Sequence, residues 1–273
     1  IRAGKRLGLD VELITRKDYG RLAEYDALFI RETTSINHHT FRFAKRAEAE
    51  GLVVIDDPTS ILRCTNKVYL AELLRTHQVK TPATQILRRE RNLELEAPLH
   101  YPVVLKIPDG AFSVGVRKVA DADELRTVAE RMFQKSDLIL AQEYLYTEYD
   151  WRIGVLNRQP FFACQYFMSK DHWQIYDHKA GGTVAGNSRT LPLERVPPAV
   201  LKTAVKAARL IGNGLYGVDL KQTQRGVCVI EINDNPNLDA GVEDEVLKEQ
   251  LYEELMAEFL RRLEQRTRLR YGA

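Results

Sequence analysis

The chain has 273 residues, of which 44% are apolar and 29% are charged, and this composition predicts a globular protein with two domains or one large α/β domain. Its 40 basic and 38 acidic residues leave a net charge of +2, so bulk charge predicts no nucleic-acid-binding surface. No run approaches the roughly 20 apolar residues that span a bilayer. The three cysteines are widely spaced in apolar settings, which favours buried thiols in a reducing, cytoplasmic protein over disulfides or a zinc site.

Residues 1–78 alternate predicted strands with predicted helices. An amphipathic helix is predicted from His39 to Gly51, and strands are predicted at the apolar runs 11–15, 26–30 and 52–56. Strands that alternate with helices favour a parallel sheet. We therefore interpret this segment as a partial doubly wound parallel α/β domain.

Two details of this segment bear on function. A second helix is predicted over 59–77, with a break near Cys64, and it carries Lys67. A solvated helix lysine is the default interpretation of that residue. The neighbouring His38 and His39 would point to opposite sides of a strand, so ordinary loop histidines are favoured over a metal site.

Residues 101–119 are predicted to form two strands joined by a glycine loop. The first strand carries Lys106, and the loop runs from Asp109 to Gly115 directly into the second strand. Glycines let backbone N–H groups approach an anion closely, and a lysine on the adjoining strand supplies a point charge for phosphate. A plain hairpin loop also needs glycine, so a phosphate site and an ordinary hairpin both remain open.

Asp121 can cap a predicted helix over 121–135, since an acidic residue stands three positions later and an apolar face follows. The last predicted helix runs from Val242 to about Arg268 and has one apolar stripe. Such a stripe packs in a core or forms a subunit contact. A homo-oligomer is therefore one of two open alternatives.

The stretch from Gly217 to Asn237 contains two short β-rich runs separated by a three-residue loop that ends in Gly226. This predicts a hairpin with a type I turn closed by a left-handed glycine. If Thr223 pairs with Val227, Asp219 lies opposite Glu231, and Asn233 shares their face. Oxygen ligands alone, without Cys or His, suit Mg²⁺ or Mn²⁺.

Two other outcomes for this hairpin stay open. Exposed strands often carry charge, so the acids could be solvated surface groups. A two-residue loop would shift the pairing by one residue and move Asp219 to the other face of the sheet.

The segment from Tyr176 to Arg189 is basic and rich in glycine. A mobile surface loop and an anion-binding loop are both compatible with this composition.

These signals occur in a definite order along the chain: Lys67, Lys106 with its glycine loop, Gln142-Glu143-Tyr144-Leu145, Asp150-x-Arg152, Gly181-Gly182, and Asp219 with Glu231 and Asn233. In this order they resemble the ATP-grasp superfamily, and within it the RimK-like ligases related to glutathione synthetase. The resemblance extends from Asp56 to Gly241. It implies an α/β ATP-grasp fold with a small lobe over 79–145 and a large lobe over 146–273, preceded by the partial domain over 1–78.

The resemblance also implies a nucleotide site. Lys67 and Lys106 would contact the α- and β-phosphates of ATP, and Glu143 and Leu145 would hold adenine through their main chain. Glu148 is expected to bind the ribose hydroxyls, with Asp150 as its competitor. The remaining residues expected to contact ATP are the hinge neighbours Gln142 and Tyr144 and, in the loop that closes over the phosphates, Gly110, Ser113 and Gly115.

The family pattern further implies a metal and substrate site. Asp219, Glu231 and Asn233 would hold two Mg²⁺ or Mn²⁺ ions. Arg152, together with the loop cations Lys179 and Arg189, would meet the acyl phosphate or the substrate carboxylate. The RimK pattern has arginine before the glycine pair, whereas this chain has Lys179 two residues before Gly181. Lysine lacks the bidentate fork that recognises a carboxylate, so the substrate is not specified.

The function implied by the resemblance is an ATP-dependent carboxylate–amine ligase that works through an acyl phosphate. It would add an amino acid to a small molecule or to a peptide or protein terminus. The expected partners are ATP, a carboxylate and an amine, with no nucleic acid and no membrane. The alternatives are a nucleotide-binding regulatory module and an ATP-grasp kinase without ligase activity.

Overall fold

The computed structural model describes residues 1–89, 93–109, 115–169, 176–179, 182–185 and 187–271. The α-helices are α1 Arg2–Arg6, α2 His39–Ala49, α3 Pro58–Thr65, α4 Lys67–Thr76, α5 Ala122–Phe133, α6 Pro198–Ile211 and α7 Glu249–Tyr271. The strands are β1 Ala27–Phe29, β2 Val53–Ile55, β3 Thr84–Arg88, β4 Val103–Lys106, β5 Val116–Val119, β6 Leu138–Glu143, β7 Tyr149–Leu156, β8 Gln159–Phe167, β9 Tyr176–Lys179, β10 Gly182–Ala185, β11 Ser188–Leu191, β12 Leu215–Thr223 and β13 Gly226–Asn233. Short 3-10 helices span Arg16–Glu24 and Leu193–Arg195.

The N-terminal segment contains the predicted parallel pair, in which β1 lies beside β2 with Ala27 opposite Val53. The predicted strand over 11–15 is wrong, because that segment is irregular. Its Leu13 is 79% exposed, whereas Ile14 packs against the N-terminal core from an irregular backbone. Thr15 instead caps the following 3-10 helix in a capping box with Asp18.

A four-stranded antiparallel sheet in the order β3-β6-β4-β5 forms the second layer. Helix α5 covers it, with Leu125, Ala129 and Phe133 buried against the strands. Asp121 caps this helix as predicted, because its carboxylate accepts from the N–H groups of Asp123 and Glu124. The sheet places Lys106 next to Leu140 on β6 and Val116 on β5.

A five-stranded antiparallel sheet in the order β11-β8-β7-β12-β13 forms the largest layer. Its two faces are covered by different elements. One face packs against α6, and the other packs against α7 and against Ile55 of β2. The apolar stripe predicted for the terminal helix is thus a core contact, made by Leu251, Leu255 and Phe259.

The terminal helix begins at Glu249 and not at the predicted Val242. Lys248, which lies inside the predicted range, has a φ angle of 53° that an α-helix cannot include. The cysteines are buried free thiols, as expected. None of the described helices combines the length and apolar character needed to cross a membrane.

Candidate active site

A cavity of about 620 Å³ lies where the four-stranded sheet and the five-stranded sheet meet the N-terminal segment. Its walls come from both sheets, from α4 and from the segment after β1. The structure brings together many of the residues singled out in the sequence, namely Lys67, Lys106, Gln142, Glu143, Tyr144, Leu145, Asp150, Arg152, Asp219, Glu231 and Asn233.

Other predicted residues do not line this cavity. Glu148 is exposed and lies outside the lining. Arg189 is exposed on β11 with Gln165 opposite, and Gly115 closes the base of the glycine loop, its carbonyl accepting from the N–H of Ile107. Gly110 and Ser113 fall outside the described residues, as does the side chain of Lys179, whose backbone lies in β9.

The hairpin formed by β12 and β13 reaches the predicted pairing by a different route. Thr223 pairs with Gly226, so the loop has two residues and the predicted three-residue loop is wrong, although Gly226 has the expected positive φ of 107°. The register then shifts between Asp219 and Leu220, because Ile230 forms a bulge on β13. The bulge restores the pairing of Asp219 with Glu231.

The acids of the hairpin are paired with cations across the cavity. Arg152 donates two hydrogen bonds to Asp219, at 2.7 Å from Nε and 2.8 Å from Nη2. Lys67 Nζ lies 3.0 Å from Glu231 Oε1. Asn233 Nδ2 donates to Asp219 Oδ2 at 3.1 Å, which leaves the amide oxygen of Asn233 as its remaining ligand atom.

Burial and neighbouring charge set the protonation of this group. Burial alone would raise the pKa of Glu231, but Lys67 and Lys106 outweigh it and hold that pKa below its ordinary value. Burial lowers the pKa of Lys106 to about 8, and its ammonium donates to Gln142 Oε1 at 2.7 Å. The site therefore contains an ionised Glu231 and a Lys106 whose charged form an anionic ligand would stabilise.

The position of Lys67 follows from a break between two helices, as predicted near Cys64. Asn66 ends α3 and begins α4, and its side-chain oxygen accepts from the N–H of Tyr69 at 2.9 Å. Lys67 is therefore the first residue of α4, and its own N–H donates to the carbonyl of Pro108. This contact ties the lysine to the residues that precede the glycine loop.

Glu143, at the end of β6, connects the two sheets. Its carboxylate accepts from Arg225 in the hairpin turn and from the N–H of Ala83. Its N–H also donates to the carbonyl of Ala83 at 2.8 Å, so both the side chain and the backbone N–H of this residue hold the start of β3.

Two contributors to the cavity were missed in the sequence. Lys221 lies two residues after Asp219 on β12, and its Nζ donates to Asp150 Oδ1 and to Thr147 Oγ1. Burial raises the pKa of Asp150, and Lys221 offsets part of that rise. The period of two along a strand could have identified Lys221, since alternate residues share a face.

The segment from Arg31 to Asn37 was also missed, although it forms one wall of the cavity. Arg31 donates to Asn235 Oδ1 and, at 3.0 Å, to the carbonyl of Pro236. The available signal was topological: ligands of parallel sheets bind beyond the carboxyl ends of strands, and this segment directly follows β1.

The donor set fits a hard divalent cation. Two carboxylates from adjacent strands and one amide oxygen face one cavity, and oxygen donors of this kind suit Mg²⁺ or Mn²⁺. The cations that now neutralise the carboxylates are the side chains suited to bind phosphate. In a metal–nucleotide complex, the metal would pair with the carboxylates and the phosphates would pair with the cations.

A family model described as the RimK-like ATP-grasp domain matches residues 64–255, which is more than half of the chain. The chain is 28% identical over 249 residues to the alpha-aminoadipate–LysW ligase LysX of Saccharolobus solfataricus, covering 86% of this chain and 87% of that protein. It is 26% identical over 226 residues to a probable alpha-L-glutamate ligase of Pseudoalteromonas translucida, covering 81% and 72%.

Solved structures show the same fold. The D-alanine–D-alanine ligase of Bacillus anthracis aligns with a TM-score of 0.73 at 15% identity, covering 95% of this chain and 89% of that one. A RimK domain ATP-grasp protein of Sphaerobacter thermophilus aligns with a TM-score of 0.68 at 17% identity, covering 94% and 92%. The predicted ATP-grasp fold is confirmed.

Proposed function

Because the chain belongs to the RimK-like ATP-grasp family, we propose that it is an ATP-dependent carboxylate–amine ligase that joins an amino acid to a carboxylate-bearing acceptor. The similar proteins reported above are named as ligases of alpha-aminoadipate with LysW and of alpha-L-glutamate. The observation that carries the proposal is the paired array of acids and cations in one cavity, with Asp219 held by Arg152 and Glu231 held by Lys67.

The nucleotide is proposed to lie between the two sheets. Lys67 and Lys106 bind the α- and β-phosphates, and the main chain of Glu143 and Leu145 holds adenine. For the ribose hydroxyls we favour Asp150 over Glu148, because Asp150 lines the cavity and Glu148 does not.

Asp219, Glu231 and Asn233 are proposed to hold two Mg²⁺ or Mn²⁺ ions. When bound, such ions neutralise charge on the phosphates and align the γ-phosphoryl group with its acceptor. Lys67 is proposed to face the phosphates, and Arg152 is proposed to face the substrate.

The proposed reaction has two steps. A carboxylate oxygen of the acceptor attacks the γ-phosphorus of ATP, and ADP leaves, so that an acyl phosphate forms. The amine then attacks the acyl carbonyl carbon, phosphate leaves, and the nitrogen loses a proton to give the amide.

Arg152 is proposed to stabilise the negative charge that develops on the carbonyl oxygen in the second step. Its guanidinium lies over the ring of Tyr166, 5.1 Å from the centroid, which orients the group. Lys179 and Arg189 are proposed to add charge from the basic segment. That segment and the glycine loop are proposed to exclude water, because water would hydrolyse the acyl phosphate.

The test is a screen of amino acids and short peptides, as acceptors and as amines, for ADP release in the presence of Mg²⁺. The expected product of an active pair has the summed mass of the two substrates less one water. Glu231→Gln should reduce ADP release to background, since it removes one metal-binding charge at constant volume. The control Asp123→Asn, at a side chain on α5 that is 93% exposed, should keep full activity.

Retained turnover in Glu231→Gln would contradict the proposed metal site. A stable phosphoester in place of an amide would identify a kinase. Tight binding of Mg·ATP without turnover for any pair would identify a regulatory module.

A further inference from the structure

Three potential metal ligands meet beside the cavity wall at the start of α2. Glu32, His38 and His39 each offer a ligand atom, and these atoms lie within 4.8 Å of one another. We propose that these residues bind a divalent transition-metal ion such as Zn²⁺, at a site separate from the oxygen ligands of the hairpin.

On a strand, the two histidines would point to opposite sides, as expected from the sequence. His38 is instead the N-cap residue of α2, and His39 is the first residue of that helix. Their rings therefore lie side by side, with centroids 4.0 Å apart. The two side chains therefore do not diverge as they would on a strand.

The separation of two of the ligand atoms fits a shared ion. His39 Nε2 lies 3.1 Å from Glu32 Oε2, and two ligands of one tetrahedral zinc ion lie roughly 3.3 Å apart when each is 2.0–2.1 Å from it. His39 Nε2 is buried and has no hydrogen-bond partner among the residues that the structure describes. The nitrogen is thus in ion-pair contact with the carboxylate while its hydrogen-bonding capacity is unused.

A neighbouring hydroxyl fixes the tautomer of His38. Thr40 Oγ1 donates its hydrogen to the carbonyl of Thr33 at 3.2 Å, and it lies 3.0 Å from His38 Nδ1. A hydroxyl has one hydrogen, so Nδ1 of His38 must donate to Thr40. Nε2 of His38 is then left with its lone pair, as in metal-ligating histidines whose other nitrogen is held by a hydrogen bond.

The ligand types select the metal. Two imidazoles and one carboxylate, with a fourth position open, suit Zn²⁺ and similar ions, whereas Mg²⁺ prefers oxygen donors. This site and the hairpin therefore bind different metals.

The ion clamps one wall of the cavity. Glu32 lies at one end of the segment 33–37 and the histidines lie at the other, and this segment lines the cavity. Beside it, the carbonyl of Glu32 accepts from Nδ2 of Asn235, which lies two residues after β13. A metal ion bound by Glu32 and the histidines joins the two ends of this segment and so holds this wall of the cavity against the large sheet.

The experiment measures Zn²⁺ binding to untagged protein by equilibrium dialysis, with Mg²⁺ in excess to occupy the hairpin. The wild type should bind one more equivalent of Zn²⁺ than His39→Asn. Glu32→Gln, at a side chain that is 56% exposed and so should not disturb folding, should weaken binding by about tenfold or more. Co²⁺ in place of Zn²⁺ should give a tetrahedral visible spectrum in the wild type and none in His39→Asn.

His100→Asn is the matched control, because His100 is an exposed histidine away from the site, and it should bind as the wild type does. Equal Zn²⁺ binding by the wild type, His39→Asn and Glu32→Gln would overturn the proposal. The contact between His39 and Glu32 would then be an ion pair only.

Discussion

Lys106 shows how burial prepares a single residue for a ligand. Its side chain is partly buried, and its one hydrogen-bond partner among the described side chains is the neutral amide of Gln142. Burial lowers its pKa to about 8, so part of the population is neutral at that pH. A phosphate beside the group would favour the charged form and raise the pKa again.

We therefore expect Mg·ATP binding to take up a fraction of a proton per site at pH 8 and almost none at pH 6, where the lysine is already charged. Titration calorimetry in two buffers of different ionisation enthalpy measures this uptake. Lys106→Arg should abolish the difference between the two pH values, because arginine stays protonated. The control Lys202→Arg, at an exposed position on α6, should retain it; the same uptake in both variants would contradict the assignment.

The order of the motifs and the predicted hairpin pairing identified many residues of the candidate site. Asp219, Glu231 and Asn233 were predicted as a set, and the structure places them on one face. Their role as metal ligands stays a prediction. The segment from Arg31 was not found, since its part in the cavity depends on contacts with residues more than 200 positions away.

The hairpin of β12 and β13 reaches the predicted pairing through two differences from the prediction that cancel each other. The two-residue loop shifts the register by one, and the bulge at Ile230 shifts it back. The bulge also changes which face the odd-numbered residues of β13 occupy: Val229 packs in the core with Leu220, whereas Glu231 faces the cavity. The apolar pattern changes phase at Ile230, and this was the signal for a bulge in the sequence.

The helix cap between α3 and α4 supports a prediction about stability and nucleotide binding. Asn66→Ala removes the hydrogen bond to Tyr69 and should lower the free energy of unfolding by about 1 kcal/mol. It should also weaken Mg·ATP binding, because Lys67 is the first residue of the helix that Asn66 caps. Denaturant unfolding and calorimetry measure the two effects.

Asp121→Ala is the matched control, since Asp121 caps α5 outside the cavity lining. It should cost similar stability and leave nucleotide binding unchanged. Asn66→Ser should restore the cap and the affinity. Equal loss of affinity in both alanine variants would show that only general stability matters.

At the scale of the whole molecule, the N-terminal segment is joined to the large sheet through a buried acidic region. Asp56 is 1% exposed, and neither carboxylate oxygen has a hydrogen-bond partner among the described residues. Burial raises its pKa well above the ordinary value, Asp234 and Asp57 raise it further, and Arg31 opposes them. The folded protein therefore keeps a proton that the unfolded chain loses near pH 4.

The sign of the resulting pH dependence follows from linkage. The stability contributed by Asp56 is fully present below about pH 4 and is lost as the pH rises through the raised folded pKa. Asp56→Asn removes this titration. The difference in unfolding free energy, variant minus wild type, should therefore increase from pH 4 towards pH 8 in denaturant titrations.

The exposed Asp10→Asn is the control for this measurement, and its difference from the wild type should stay constant with pH. A constant difference for Asp56→Asn as well would show that Asp56 is ionised in the folded protein.

The sequence by itself determined the family, the ATP-grasp fold and the expectation of an ATP-dependent ligase, and the matches to RimK-like proteins confirm these. It could do so because the order of the motifs along the chain, which carries the resemblance to this family, can be read without knowing the fold. The domain boundaries and the roles of the site residues stay predictions.

Only the tertiary structure decided which charges meet. The pairing of Lys67 with Glu231, the contact of Lys221 with Asp150 and the cluster of Glu32 with two histidines depend on how helices and sheets pack. Most of these contacts join residues that are distant in the chain. The neighbouring histidines, in contrast, lie side by side only because a helix begins at His39. Their energies depend on burial, which no local pattern specifies.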